Sequence, residues 1–127
     1  MDARILVVED NPDNSLLVTW ILEDEGYQVT CVESGEACLA TLSNEVFDLI
    51  LMDISLPGIS GKETTQRIRQ MPDKKNIPIF ALTAHAIQEE QKSIWDCGVD
   101  DLLTKPIEEA LLLQSIEKHL RKTLTGS

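Results

Sequence analysis

Five short strand-like runs, four of them closing in a polar or charged group, alternate with segments of helical spacing and set the fold of this 127-residue chain. The most pronounced is Leu49-Ile50-Leu51-Met52, preceded by Phe47-Asp48 and closed by Asp53. An unbroken apolar run suits a strand buried on both faces, as in the interior of a parallel sheet. It delivers Asp53 at the strand's carboxyl end, where open parallel sheets place their ligands. Arg4-Ile5-Leu6-Val7-Val8 repeats the pattern and closes in Glu9-Asp10. Ile77 to Leu82 ends at Thr83-Ala84, with Pro78 tolerated near its start. Asp100 to Thr104 is a short run ahead of Lys105-Pro106, and Tyr27 to Val32 alternates like an edge strand without chemistry.

Helices fill the intervals. Asn11-Pro12 marks a start, with Asn11 or Asp10 as the cap and Pro12 near the first helical position. Leu16, Leu17, Trp20 and Ile21 recur at helical spacing and are expected to face the sheet, Trp20 as a core residue, until Gly26 supplies a left-handed stop. Ser34 opens a second helix with Ala37, Cys38, Thr41 and Leu42, and the third strand is expected over Val46 to Asp53. Further helices are expected over Ser60 to Met71, over Ile87 to Trp95 with an end near Gly98, and over Ile107 to Leu120. This alternation predicts an α/β domain of the doubly wound type, a parallel sheet covered on both faces, because right-handed crossovers carry successive helices over it. The length suits one domain over residues 1–122, with 123–127 a frayed C-terminal tail whose Gly126-Ser127 reads as a cloning remnant.

Charge narrows the partners. The 22 acidic against 11 basic residues leave a formal charge of -11, which opposes binding to nucleic-acid phosphates or anionic lipid. No apolar run approaches the roughly 18 residues of a membrane span, and the first residues lack the pattern of a signal peptide, so a cytoplasmic location is expected. Cys31, Cys38 and Cys97 show no metal-ligand spacing and are expected as buried or half-buried free thiols. His85 and His119 are too few for a histidine-rich metal site, whereas a hard cation held by carboxylates fits the composition.

A parallel sheet gathers its strand ends at one edge, so Glu9, Asp10, Asp53, Thr83 and Lys105 are expected to converge. Three carboxylates brought close repel by about 4 kcal/mol per pair at an effective dielectric near that of a protein surface. Lys105 can offset one charge, and a divalent ion with oxygen ligands suits the rest. Mg2+ fits better than Ca2+, because it needs only one or two carboxylates together with waters and a substrate phosphate. A carboxylate beside Mg2+, a lysine and a hydroxyl is what transfer of a phosphoryl group to aspartate requires. Asp53 would attack in line while the cations neutralise the equatorial oxygens.

Glu9-Asp10, Asp53, Thr83-Ala84 and Lys105-Pro106, in this order and with Leu56-Pro57-Gly58 after Asp53, resemble the receiver domain of two-component response regulators over about residues 3–121. The resemblance implies a flavodoxin-like five-stranded sheet of order 2-1-3-4-5 with five helices. It implies that Asp53 accepts a phosphoryl group from the phosphohistidine of a histidine kinase or histidine phosphotransfer protein, with Mg2+ as cofactor. Asp10, Asp53 and the main-chain carbonyl of Ser55 would bind the metal, and Glu9 would act mainly through water. Thr83 would be the switch hydroxyl, Lys105 the ion-pair partner of the phosphoryl group, and Ser55 and His85 the positions that tune hydrolysis. The Lys105-Pro106 bond is expected to be cis. The family usually carries Tyr or Phe three residues before the lysine, where this chain has Leu102, so readout is expected not to depend on an aromatic ring.

Such a domain is a signalling module and not an enzyme in the usual sense, catalysing only its own phosphotransfer and dephosphorylation. Its expected partners are the donor and a downstream protein target, with no nucleic acid and no membrane, as a monomer or a phosphorylation-dependent dimer. The alternative is a receiver-fold interaction module that takes no phosphoryl group, against which the intact acid set and Lys105 argue. A flavodoxin-like cofactor binder would need a glycine-rich loop after the first strand, and an aspartate-based phosphatase a second Asp where Ser55 stands. With no output domain after the last helix, the chain reads as a stand-alone regulator or as the receiver of a larger protein such as a hybrid kinase.

Overall fold

The computed structural model describes residues 3–74, 76–84 and 88–124. Strands and helices alternate as β1 (Arg4–Val8), α1 (Pro12–Asp24), β2 (Gln28–Val32), α2 (Gly35–Asn44), β3 (Leu49–Asp53), α3 (Gly61–Arg69), β4 (Ile79–Thr83), α4 (Gln88–Asp96), β5 (Asp101–Thr104) and α5 (Glu109–Leu124). All strand pairs are parallel, and the sheet order is β2-β1-β3-β4-β5, as the resemblance implied.

The unbroken apolar runs are central because both of their faces are covered. Leu6, Val8, Ile50, Met52, Ile79 and Ala81 pack on one side against Cys38, Leu42, Ile68 and Ile94 of α2, α3 and α4. Ile5, Val7, Leu49, Leu51, Phe80 and Leu82 pack on the other against Val18, Ile21 and Leu22 of α1 and Leu112, Ile116 and Leu120 of α5. Each of the Val, Leu, Ile, Met and Phe side chains among them contributes about 1.5–3 kcal/mol through the apolar surface it removes from water. The sheet is thus a rigid base, and its carboxyl edge inherits that rigidity.

Local signals place the helix ends. Asn11 caps α1, its Oδ1 accepting from the N–H groups of Asp13 and Asn14 at 2.9 and 3.2 Å, with Pro12 at the first helical position. The hydroxyls of Ser34 and Ser60 cap α2 and α3, each accepting from the N–H three residues on at 3.1 Å. Gly26 follows α1 at φ 90° and Gly98 follows α4 at φ 111°, conformations that side chains rarely adopt.

Several expectations change, among them the bounds of β4, which runs Ile79–Thr83 and not Ile77 to Leu82, and of α3, which ends at Arg69 and not Met71. Trp20 is not a core residue but 73% exposed, and Leu16 and Leu17 also face out; α1 turns Val18, Ile21 and Leu22 to the sheet. Cys31 is exposed on edge strand β2, beside the Thr19 hydroxyl at 3.1 Å, whereas Cys38 and Cys97 are buried as expected. Burial pushes the Cys38 thiol up to about 12 and that of Cys97 upward as well. β3 begins at Leu49 and not at Val46, because the Asp48 carboxylate takes the Arg4 N–H at 2.8 Å and the Arg4 guanidinium lies over the Phe47 ring, leaving Val46 exposed. α5 starts at Glu109, two residues after the expected Ile107, and continues to Leu124.

Candidate functional site

The carboxyl ends of β1, β3, β4 and β5 deliver Glu9, Asp53, Thr83 and Lys105 to one edge of the sheet. Glu9 and Asp53 are each only 3% exposed and Thr83 is fully buried, while Asp10 is exposed at the mouth. Strand register enforces the convergence: Val8 lies opposite Met52, Asp53 opposite Leu82, and Thr83 opposite Thr104. Hydrogen bonds from Ile54 N to Leu82 O (3.0 Å) and from Lys105 N to Thr83 O (2.8 Å) carry the pairing just past the strands.

Lys105 is the electrostatic centre. Its Nζ lies 2.9 Å from Glu9 Oε1 and 3.3 Å from Asp53 Oδ2, so one ammonium spans the acids of β1 and β3. Their other oxygens are held by main chain: the Asn11 N–H donates to Glu9 Oε2 at 3.2 Å and the Ser55 N–H to Asp53 Oδ1 at 3.0 Å. Burial pushes the Glu9 carboxyl above the ordinary carboxylate range, and its hydrogen bond with Asp53 acts in the same direction, against the pull of Lys105. Burial works against the Lys105 ammonium, but the hydrogen bond to Glu9 and the charge of Asp53 outweigh it and raise its pKa. The lysine therefore keeps its proton throughout the neutral range.

Ligand oxygens of Glu9, Asp10 and Asp53 lie within 4.8 Å of one another. This is an all-oxygen donor set carrying more negative charge than one lysine offsets, which suits a hard divalent cation. Ser55 is in place two residues beyond Asp53, in the loop that leads to α3. Leu102 sits in β5 opposite Ala81, partly buried against the apolar cluster under α2, α3 and α4. The Lys105-Pro106 peptide bond is cis. His85 lies outside the described residues.

Sequence reasoning passed over one residue of this edge. Gly61, the first residue of α3, is buried directly against the Asp53 main chain. Its only signal in the sequence is a glycine behind the Ser60 cap, a position that carries no chemistry of its own.

A doubly wound α/β domain with an acidic cluster and a lysine at the carboxyl edge of its sheet has its candidate site where such folds bind their ligands. The response regulator receiver domain model matches residues 5–117, and the chain belongs to that family. Sensor protein GacS of Pseudomonas syringae pv. syringae is 47% identical over 118 residues, a match that covers 91% of this chain and 13% of GacS. The chain therefore spans a small fraction of the sensor kinases it resembles. Among solved structures, a response regulator from Chloroflexus aurantiacus is 30% identical at a TM-score of 0.92, over 95% of this chain and 99% of that one. The receiver domain of sensor histidine kinase PA1611 from Pseudomonas aeruginosa, solved with magnesium coordinated in its active-site cleft, is 34% identical at a TM-score of 0.88, over 94% of this chain and 98% of that one.

Proposed function

We propose that this domain takes a phosphoryl group onto Asp53 from the phosphohistidine of a histidine kinase or phosphotransfer protein, and that the phosphorylated form binds a downstream protein differently. The observation that carries this reading is the Lys105 ammonium placed 3.3 Å from Asp53 Oδ2 and 2.9 Å from Glu9 Oε1. One Asp53 oxygen is oriented by the Ser55 N–H, and the other faces the cation. A phosphoryl group arriving at that second oxygen would meet a fixed positive charge without any rearrangement, the condition under which electrostatic stabilisation is most effective.

In the transfer, an Asp53 carboxylate oxygen forms a bond to phosphorus while the P–N bond to the donor imidazole breaks. The imidazole leaves with the bonding pair and takes up a proton. Lys105 stabilises the charge on the transferring group and then pairs with the acyl phosphate. Asp10, Asp53 and the carbonyl of Ser55 are the residues that would hold Mg2+, with Glu9 acting through water. The metal would add charge neutralisation at the phosphoryl oxygens. Hydrolysis returns the carboxylate by attack of water on phosphorus, at a rate for which Ser55 and His85 are the tuning positions. Thr83, buried at the end of β4, supplies the hydroxyl that moves toward the new phosphoryl oxygen.

The test is to phosphorylate the protein from a panel of phosphohistidine donors with Mg2+, trap the acyl phosphate by borohydride reduction and map the modified peptide. Modification at Asp53 is the expected result, and modification at another residue would overturn the assignment. Readout is expected to bypass the aromatic switch. Leu102 packs as one apolar residue among several, so Leu102→Tyr should leave the phosphorylation-dependent gain in target affinity within about twofold, well under the tenfold that 1.4 kcal/mol represents. A large gain on that substitution would show that the ring position controls the switch.

A further inference from the structure

We propose that Gly61 is a positioning residue for Asp53: by carrying no side chain, it lets the first turn of α3 rest on the Asp53–Ile54 peptide and fixes the attacking carboxylate. The inference rests on Asp53 being the phosphoryl acceptor. A Cβ at Gly61 would lie 2.2 Å from the Asp53 carbonyl oxygen, 2.7 Å from Ile54 Cα and 2.9 Å from the Asp53 carbonyl carbon. Every one of these atoms is main chain, so no side chain can turn aside to make room. The φ of Gly61 lies outside the left-handed range, and the requirement is therefore for space and not for conformation.

The contact is held from both sides. Gly61 N–H donates to Ile54 O at 3.1 Å, and the buried Thr65 hydroxyl donates to Gly61 O at 2.9 Å. Ile54 N–H is in turn tied to Leu82 O of β4 at 3.0 Å. The peptide after Asp53 is thus clamped between β4 and α3, and the next N–H, that of Ser55, orients the Asp53 carboxylate. Ordinary contact begins near 3.4 Å, so a methyl group at Gly61 must displace this peptide by about 1 Å. Displacement of a reacting group on that scale can cost 10²-fold in rate.

Gly35 provides a matched control. A Cβ there would meet Thr64 Oγ1 at 2.1 Å and Ile59 Cγ1 at 2.7 Å, an equally close approach that strikes side chains of the α2–α3 contact and not the Asp53 main chain. The experiment compares wild type, Gly61→Ala, Gly35→Ala and Thr65→Val for thermal stability, for Mg2+ affinity by calorimetric titration, and for the maximal rate of phosphorylation by acetyl phosphate at saturating Mg2+. Gly61→Ala is expected to lower the maximal rate about 10²-fold and to weaken Mg2+ binding while melting cooperatively. Gly35→Ala should lose stability yet keep its rate within about threefold, as expected for a clash remote from the reacting group. Thr65→Val, which removes the hydroxyl that seats the Gly61 carbonyl and also faces the Cys97 thiol, should fall between them.

A folded Gly61→Ala protein with wild-type rate and Mg2+ affinity overturns the proposal, as does a Gly35→Ala protein that loses as much rate as Gly61→Ala. Should Gly61→Ala not fold, Thr65→Val decides: a reduced rate supports the clamp and an unchanged rate overturns it. A wild-type protein that takes no label at Asp53 overturns the functional reading itself, and the Mg2+ titration alone then decides on Gly61.

Discussion

Asp53→Ala is expected to take no phosphoryl label from any donor that labels wild type. Glu9 and Asp10 lie within a few ångströms of the same place, so the substitution tests whether a neighbouring acid can act instead. The geometry argues that neither can. Glu9 is only 3% exposed, with one oxygen on the Asn11 N–H and the other on Lys105, and in the proposed reaction it serves the metal through water. Asp10 stands exposed at the mouth, two residues past the end of β1, and no strand fixes it for in-line attack. The loss should therefore fall below detection, and label on the alanine variant comparable to wild type would remove Asp53 from the mechanism. The same substitution is expected to raise the melting temperature in the absence of Mg2+. It relieves repulsion of about 4 kcal/mol per close acid pair, before screening, and gives up the longer of the two Lys105 contacts and the Ser55 N–H bond to Asp53 Oδ1. Wild type and variant can be compared by calorimetry in chelator.

The strand ends were legible because a short, unbroken apolar run bounded by polar and loop residues is too short for a helix and reads as a strand buried on both faces. Leu49 to Met52 and Ile5 to Val8 occupy the centre of the sheet for that reason, and the polar residues behind them could only emerge at its carboxyl edge. The face of α1 was not legible in the same way. Leu16, Leu17, Val18, Trp20, Ile21 and Leu22 place apolar groups almost around the helix, so periodicity does not choose between the stripe holding Leu17 and Ile21 and the one holding Val18, Ile21 and Leu22. The sheet made the choice, leaving Trp20 outside. Contacts between distant elements were also silent. Arg69 of α3 reaches the Gly98 carbonyl at 2.9 Å and the Asp100 carboxylate at 2.8 Å, and Asp100 also takes the Ile79 N–H at 2.8 Å. The start of β5 is pinned by this network, although in the sequence Asp100 and Asp101 are indistinguishable acids. Gly61 belongs with these, since its importance lies in an absent atom that only the packed backbone defines.

Lys105→Ala is expected to slow phosphorylation of Asp53 about 10²-fold, the scale on which one preorganised electrostatic donor acts in a transition state. The ammonium is held by two acids from different strands and keeps its proton at neutral pH, so wild type reaches the transition state with that charge already in place. Lys105→Arg should recover only part of the rate, because a planar guanidinium cannot occupy the position of a compact ammonium between Glu9 and Asp53. The substitution also separates catalysis from charge compensation. Without Lys105 the acids of β1 and β3 face each other with no counter-charge, and the variant should melt below wild type in chelator. Because Lys105 is 21% exposed at its side chain, solvent screening reduces that loss below the value for a fully buried pair. Saturating Mg2+ should close most of the gap in melting temperature, since an ion bound only by the folded state stabilises it and supplies the missing charge. It should not restore the rate, because a cation held by Asp10, Asp53 and the Ser55 carbonyl does not occupy the place of the Lys105 ammonium. A variant whose rate and stability are both restored by Mg2+ would show that Lys105 serves only to balance the acids. One that regains stability but stays slow would assign it to the transferring phosphoryl group.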